Sequence, residues 1–176
     1  MNAPEQSTAL TVVERTEITA DEIRAWLRYE PDTGIFTWRK KPNRRIKIGA
    51  VAGTLKDNGR IVIQVLGAEY FAHRLAWIYM TGVWPTNQID HRSTIPSDNR
   101  WDNLRDVTHT VNMQNIRKPK KGSKSGVLGT CLNRGKYVSQ IVVDQTHVWL
   151  GRFSTQEAAH DAYIEAKRKW HEGNTL

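Results

Sequence analysis

At 176 residues the chain has room for one medium domain or two small ones, and 26 Lys and Arg against 18 Asp and Glu give a formal charge of +8. That excess calls for a polyanionic partner, nucleic acid before an anionic membrane, and no apolar run approaches the ~20 residues of a membrane span. A single cysteine, Cys131, excludes an internal disulfide and a thiolate zinc cluster, and it fits a reducing, cytoplasmic setting.

Residues 1–16 lack periodicity and are expected to form a flexible tail, without the basic start of a signal peptide. Residues 17–116 read as a first domain, 117–125 as a basic linker and 126–172 as a second domain. Thr19-Ala-Asp-Glu22 is a capping box opening a short helix with Ile23, Trp26 and Leu27 on its apolar face. Tyr29 to Gly34 carries turn chemistry, and Gly34 to Trp38 alternates as a strand. Arg39 to Lys47 holds six basic residues and reads either as a solvated loop or as a phosphate-contacting one.

Gly49–Gly53 and Arg60–Leu66 are expected as strands, with Asn58-Gly59 as a two-residue hairpin turn before the second. Tyr70–His73 reads as a short strand entering a helix from Arg74 to Thr81, which has Leu75, Ile78 and Tyr79 inward and is stopped by Gly82 and Pro85. A strand end at Gln88–His91, a turn-rich stretch from Asp98 to Asn103, a strand at Leu104-Arg105 and a helix from His109 to Ile116 follow. Thr108 is its expected cap. In the second domain, Val127–Leu132, Tyr137–Val143 and His147–Phe153 read as strands, and a Ser154–Glu157 capping box opens a helix to about Trp170. Its inward stripe would be Ala158, Ala159, Ala162, Tyr163 and Ala166. Of the seven tryptophans, core packing accounts for most and base stacking is the other use.

The chemistry concentrates in Asp90, His91, Asn103 and Asn112. Hydrolysis of a phosphodiester needs an activated water, neutralised phosphate charge and a stabilised leaving oxygen. Asp90 and Asn112 offer a carboxylate and a neutral oxygen to one divalent cation, Mg²⁺ or Mn²⁺. His91 is the candidate base, with Asn103 accepting from its other ring nitrogen. The same residues also fit an ordinary strand end with an Asx turn. His73 and Asn99 are candidates for contacts around this set, and His73 fits equally a structural place at its strand–helix junction. His109, His147, His160 and His171 lack partners at metal spacing and read as surface or DNA-facing residues.

His73-Arg-Leu-Ala-Trp77, Ile89-Asp-His91, Asp98-Asn-Arg100, Asn103-Leu-Arg105 and Asn112 together resemble the HNH endonuclease family, in its phage and group I intron homing branch. The separations agree with that branch: His91 to Asn103 is 103 − 91 = 12 and Asn103 to Asn112 is 112 − 103 = 9. The resemblance spans roughly Thr19 to Asn115. It implies a ββα-metal core and metal-dependent DNA cleavage leaving 5′-phosphate and 3′-hydroxyl ends. The zinc-binding cysteine pairs of some relatives are missing, so a core of side chains must hold this fold.

Farther on, Ser125–Thr130, Lys136–Ile141, Trp149–Phe153 and Ala158–Tyr163 are similar to the Apetala-2/ethylene-response-factor DNA-binding domain. That resemblance implies a three-stranded antiparallel sheet laid on DNA with one helix packed behind. Alternation along the strands puts Tyr137, Ser139, Ile141, Val148 and Leu150 on the helix side, and Val138, Gln140, Val142, His147 and Trp149 outward. Asn133, Arg134, Lys136, Gln140, His147, Trp149 and Arg152 are the expected DNA-contacting residues.

The expected protein is therefore α+β: a nuclease domain that cuts double-stranded DNA with one Mg²⁺ or Mn²⁺, and a sheet domain that targets it. No small-molecule substrate and no membrane are expected, and a monomer with one site favours nicking. The rival readings are a non-catalytic DNA-binding regulator on an inactive scaffold and, with no usual stacking motif to favour it, an RNA-binding protein.

Overall fold

The computed structural model describes residues 18–119 and 121–175, so the tail expected over residues 1–16 lies outside the described residues. Helix α1 (Ala20–Trp26) opens with the expected box: the Glu22 amide donates to Thr19 Oγ1 at 3.2 Å, and the Thr19 amide donates to Glu22 Oε2 at 2.9 Å. The helix stops one residue earlier than its apolar face suggested. Leu27 instead starts strand β1 (Leu27–Glu30), antiparallel to β2 (Ile35–Trp38). Leu27 and Tyr29 alternate with Arg28 and Glu30, and that period of two buries Leu27 and Tyr29 beside Phe36 and Trp38.

The expected Gly49–Gly53 strand is reduced to an isolated bridge between Thr37 and Val51. Gly49 and Gly53 hold φ of 83° and 114°, which no extended run allows. Strands β3 (Thr54–Leu55), β4 (Ile61–Val65) and β5 (Ala68–Phe71) form a meander. Its first turn stands where Asn58-Gly59 put it but has a different form. The Gly59 amide donates to Lys56 O at 2.8 Å and the Lys56 amide to Arg60 O at 2.9 Å, which encloses Asp57, Asn58 and Gly59. Only Gly59 of these takes a positive φ, the mark of a three-residue loop with a bulge rather than of a two-residue turn.

Strand β5 runs directly into α2 (Ala72–Thr81), so His73 lies in the first helical turn instead of at a strand end. Leu75 and Ile78 are buried as expected, and Gly82 caps the helix in the left-handed region. Strands β6 (Gln88–His91) and β7 (Leu104–Val107) pair antiparallel, and α3 (His109–Gln114) follows, ending short of Ile116. The core gathers α1, both early sheets, α2, and Ile89 and Leu104 from the β6–β7 pair.

The loop between β6 and β7 is held from behind by the β1–β2 hairpin. Tyr29 Oη donates to Asn99 O at 2.6 Å, and the Trp101 amide donates to Pro31 O at 2.9 Å. Gly34 sits so close that a Cβ would stand 2.4 Å from Asn99 C and 2.5 Å from Arg100 N. Its φ of +72° adds a second demand for glycine.

Strands β8 (Thr130–Asn133), β9 (Lys136–Val143) and β10 (Thr146–Phe153) form an antiparallel sheet in the order β10-β9-β8, with α4 (Gln156–Trp170) packed on it. The cap of α4 is Thr155, not Ser154: its Oγ1 accepts from the Ala158 amide at 3.2 Å. Glu157 therefore stands one position too early to close a box. Ala159 and Ala166 are buried, whereas Ala158 faces water. Val138, expected outward, is 3 % exposed, and it lines one cleft with Pro119 and Gly122. His160 and His171, expected at the surface, are half-buried: their rings bond the Leu128 and Val142 carbonyls at 2.9 and 2.8 Å.

Gly34→Ala combines a disallowed φ with a collision against backbone atoms, and neither can relax through a side chain. It is expected to destabilise the protein by about 2 kcal/mol or more, read as a lowered urea midpoint. A midpoint equal to that of the unaltered chain contradicts the hairpin's bracing role.

Candidate active site

Successive residues of a strand point to opposite faces, and β6 uses this to separate two adjacent polar groups. Gln88 and Asp90 face α3, where Gln88 Oε1 accepts from Asn112 Nδ2 at 2.7 Å. Ile89 turns into the core, and His91 meets α2 and the β6–β7 loop. Asp90, His91 and Asn112 line one cleft of about 430 Å³, with Arg60, Arg117 and Lys118 also on its wall.

Asp90 is 8 % exposed, and its charge is paired. Its antiparallel partner in the register is Arg105, whose Nε and Nη2 lie 2.9 and 2.7 Å from Oδ2. Asn115, the residue that caps α3, donates through Nδ2 to Oδ2 at 3.0 Å, to Oδ1 at 3.3 Å and to the His91 carbonyl at 3.0 Å. Buried charge needs such partners, since an unpaired carboxylate out of water costs several kcal/mol, on the order of 3–5 when one partner of a buried pair is removed.

The hydrogen bond expected of Asn103 is made by Asn99. Asn99 is 1 % exposed, and its Oδ1 lies 3.2 Å from His91 Nε2. Its Nδ2 donates to Ser97 O at 3.3 Å, which turns the amide oxygen toward the ring. An amide oxygen only accepts, so Nε2 carries the proton and Nδ1 is left as the basic nitrogen. Asn103 cannot reach the imidazole because both ends of its amide are committed to backbone: Oδ1 accepts from the Ser93 amide at 2.8 Å, and Nδ2 donates to Asp98 O at 2.6 Å. It ties the two ends of the loop that presents Asn99.

Burial holds the His91 imidazole below its ordinary pKa, against the opposing pull of the Asn99 hydrogen bond and the Asp90 charge. The ring is therefore neutral near pH 7. His73 meets it edge to face, with centroids 5.2 Å apart, and stacks on Phe71 at 5.3 Å. Its Nδ1 is buried without a partner among the described residues, and burial first, then His91, Arg60 and Arg74, push its pKa down to about 3. His73 thus packs, neutral and buried, against the His91 ring.

The residues fit a small divalent cation in donor type. Asp90 Oδ1 meets only the long Asn115 contact, and Asn112 spends its Nδ2 on Gln88, with no partner for Oδ1 among the described residues. One anionic and one neutral oxygen thus remain at the cleft, a hard-oxygen pair suited to magnesium-like ions that keep several waters. A site of three or more His, Cys, Asp or Glu is absent among the described residues.

Sequence reasoning missed Arg105, Asn115 and Arg60. Arg105 was within reach, since the β6–β7 pairing sets it opposite Asp90; Asn115 follows Asn112 by one helical turn. Arg60 reaches the cleft from β4's leading edge, a long-range contact with no local signal. On the C-terminal sheet, the registers place Asn133 opposite Lys136, Trp149 opposite Gln140 and His147 opposite Val142, all exposed on one face with Arg152. Arg134 sits in the β8–β9 turn with φ 49°. Trp149 is 58 % exposed and is the one tryptophan not at least half-buried.

Residues 70–114, from within β5 to the end of α3, match the family model described as HNH endonuclease. No curated protein and no solved structure shows a significant match to the chain.

His73 ties stability to pH in one direction. Its folded pKa is about 3 and its unfolded value about 6.5, so its contribution is whole above 6.5 and is lost as the pH falls toward 3, where the unfolded chain gains a proton the fold resists. Between pH 7.5 and 5.0 this predicts a loss of about 2 kcal/mol in urea unfolding, which His73→Gln should remove. Equal pH slopes for the two proteins contradict it.

Proposed function

We propose that the protein is a metal-dependent DNA endonuclease whose cutting centre is the Asp90–His91–Asn112 cleft. The observation that carries this reading is the pairing of a buried, neutral His91, its proton fixed on Nε2 by Asn99, with oxygen donors of the adjacent Asp90 and of Asn112 on one basic-walled cleft. The HNH endonuclease match over these same strands and helix points to DNA as substrate. On this reading β6, β7 and α3 are the ββα-metal core expected of the homing branch.

Asp90 and Asn112 would hold one Mg²⁺ or Mn²⁺. Such a cation, when bound, neutralises charge on the phosphate and on the departing 3′ oxygen. His91 Nδ1 takes the proton of the attacking water, and Asn99 keeps the ring from turning. Arg60, Arg117 and Lys118 draw the phosphate backbone to the cleft. Asn103 acts through the loop, not on the ring. With one such centre per chain, a monomer nicks one strand.

The exposed face of the β8–β10 sheet is the targeting surface in this proposal. Its Trp149, Gln140 and His147 stand among Asn133, Arg134, Lys136 and Arg152, a combination of an apolar platform with donors and positive charge that suits a DNA groove better than water. The likeness to the Apetala-2/ethylene-response-factor domain adds the expectation of a sheet laid in the major groove. One observation favours the rival, non-catalytic binder: Arg105 already neutralises Asp90.

Supercoiled plasmid with Mg²⁺ or Mn²⁺ separates the two. Nicking by the unaltered chain is expected, with a loss on the order of a hundredfold or more in His91→Ala. Cleavage no greater than that of the variant removes the enzymatic reading. Trp149→Ala, with its melting temperature unchanged, should weaken duplex binding about tenfold in a gel shift at fixed salt. Unaltered affinity would take the sheet face out of the targeting role.

A further inference from the structure

Both side chains that grip Asp90 are themselves gripped by the segment that follows α4. Arg105 Nη2, besides its contact with Asp90, donates to Gly173 O at 2.7 Å. Asn115 Oδ1 accepts from Thr175 Oγ1 at 2.5 Å while its Nδ2 donates to Asp90. The Gly173 amide donates to Gln114 Oε1 at 2.9 Å, and Thr175 Oγ1 also lies 2.8 Å from Arg92 O, just past His91. Arg117 bonds the Thr175 carbonyl at 2.8 Å and the Arg92 carbonyl at 3.0 Å.

The fit is close. Gly173 is buried, and a Cβ there would stand 2.0 Å from Val111 O on α3. The segment is also anchored at its root, where His171 bonds Val142 O of β9 at 2.8 Å and Lys167 Nζ bonds Ile116 O beyond α3. A segment that merely covered α3 would have no need to satisfy the free ends of Arg105 and Asn115, one after the other.

We propose that Gly173–Thr175 is a positioning strap for the cutting centre: by holding Arg105 and Asn115 it sets the direction of the Asp90 carboxylate and hence its hold on a divalent cation. This rests on the reading of Asp90 as a cation ligand. Arg105 and Asn115 are positioning residues, and the strap positions them in turn. Groups that orient a metal ligand commonly contribute roughly 10- to 100-fold in metal affinity or activity. The DNA-binding sheet and the cutting centre are joined through the same contacts.

The test uses the full chain with Mn²⁺, read by free-ion electron paramagnetic resonance and by plasmid nicking. Thr175→Val removes the hydroxyl that donates to Asn115, and Thr175→Ser keeps it. The valine variant is expected to raise the Mn²⁺ concentration for half-maximal binding and for half-maximal nicking roughly tenfold, with KM for DNA unchanged, and the serine variant to restore both. Equal Mn²⁺ dependence in the valine variant and the unaltered chain overturns the strap. So does an equal shift in both variants, because the serine keeps the hydroxyl and the shift then does not come from its loss.

If the unaltered chain binds Mn²⁺ without nicking, the nuclease reading fails and the binding shift alone decides the strap. If it binds no Mn²⁺, Asp90 is not a cation ligand and the strap proposal is overturned with that premise.

Discussion

Asp90 is a carboxylate taken out of water, and much of the surrounding architecture answers that one condition. The cost of desolvation is offset only by good geometry with opposite charge and by filling the remaining lone pairs. Arg105 supplies the charge because the β6–β7 register sets it directly across, and Asn115 supplies the amide because α3 ends where it does. Shift the register by one residue and every side chain of β7 changes face, leaving the carboxylate bare. The strand pair and the helix are therefore not a neutral scaffold on which Asp90 was placed; their relative placement is what makes its burial tolerable.

The neighbouring imidazole has the reverse requirement. Burial first, with the Arg60 charge adding to it, holds the His91 pKa below its ordinary value, and His73 sets a second ring with a lowered pKa against it. Only strand alternation lets Asp90 and His91 be consecutive and still meet such different surroundings. The proton on His91 is then assigned by Asn99, and Asn99 is fixed by residues far away in sequence: Tyr29 through its hydroxyl and Gly34 through its missing side chain. A hairpin that touches no part of the cleft thus governs which ring nitrogen is basic.

What could be read from the sequence is what local rules control. The Thr19–Glu22 box, the Thr108 cap, the stops at Gly82 and the three strands after the linker all follow from residue type and period. Asp90, His91 and Asn112 were legible because a strand end followed by a strand and a helix leaves few ways to arrange them. Asn99 and Asn103 could not be told apart, since both lie in an aperiodic, turn-rich stretch and only the hairpin behind it decides which amide faces the ring. Leu27 satisfied the helical and the strand pattern together, and pairing with Trp38 settled the matter. Val138 obeyed alternation yet is buried, on a cleft that Pro119 and Gly122 of the expected basic linker also line.

That last departure bears on how the two halves of the chain work together. A basic linker containing glycine and serine would, by itself, let a sheet domain wander over a range of positions relative to a nuclease domain. Arg117, Lys167 and the segment from Gly173 to Thr175 remove much of that freedom by bonding carbonyls and side chains at the end of α3 and beside His91. On the proposed function, in which one surface binds DNA and another cuts it, this matters more than affinity. A loose tether fixes only the local concentration of the cutting centre, whereas a docked one fixes the distance along the duplex between the bound bases and the phosphate presented to His91. The contacts that orient Asp90 and those that hold the two halves together are largely the same contacts, so on the proposed function a chain whose sheet is displaced would lose the place of the cut and the geometry of the cutting carboxylate in one step.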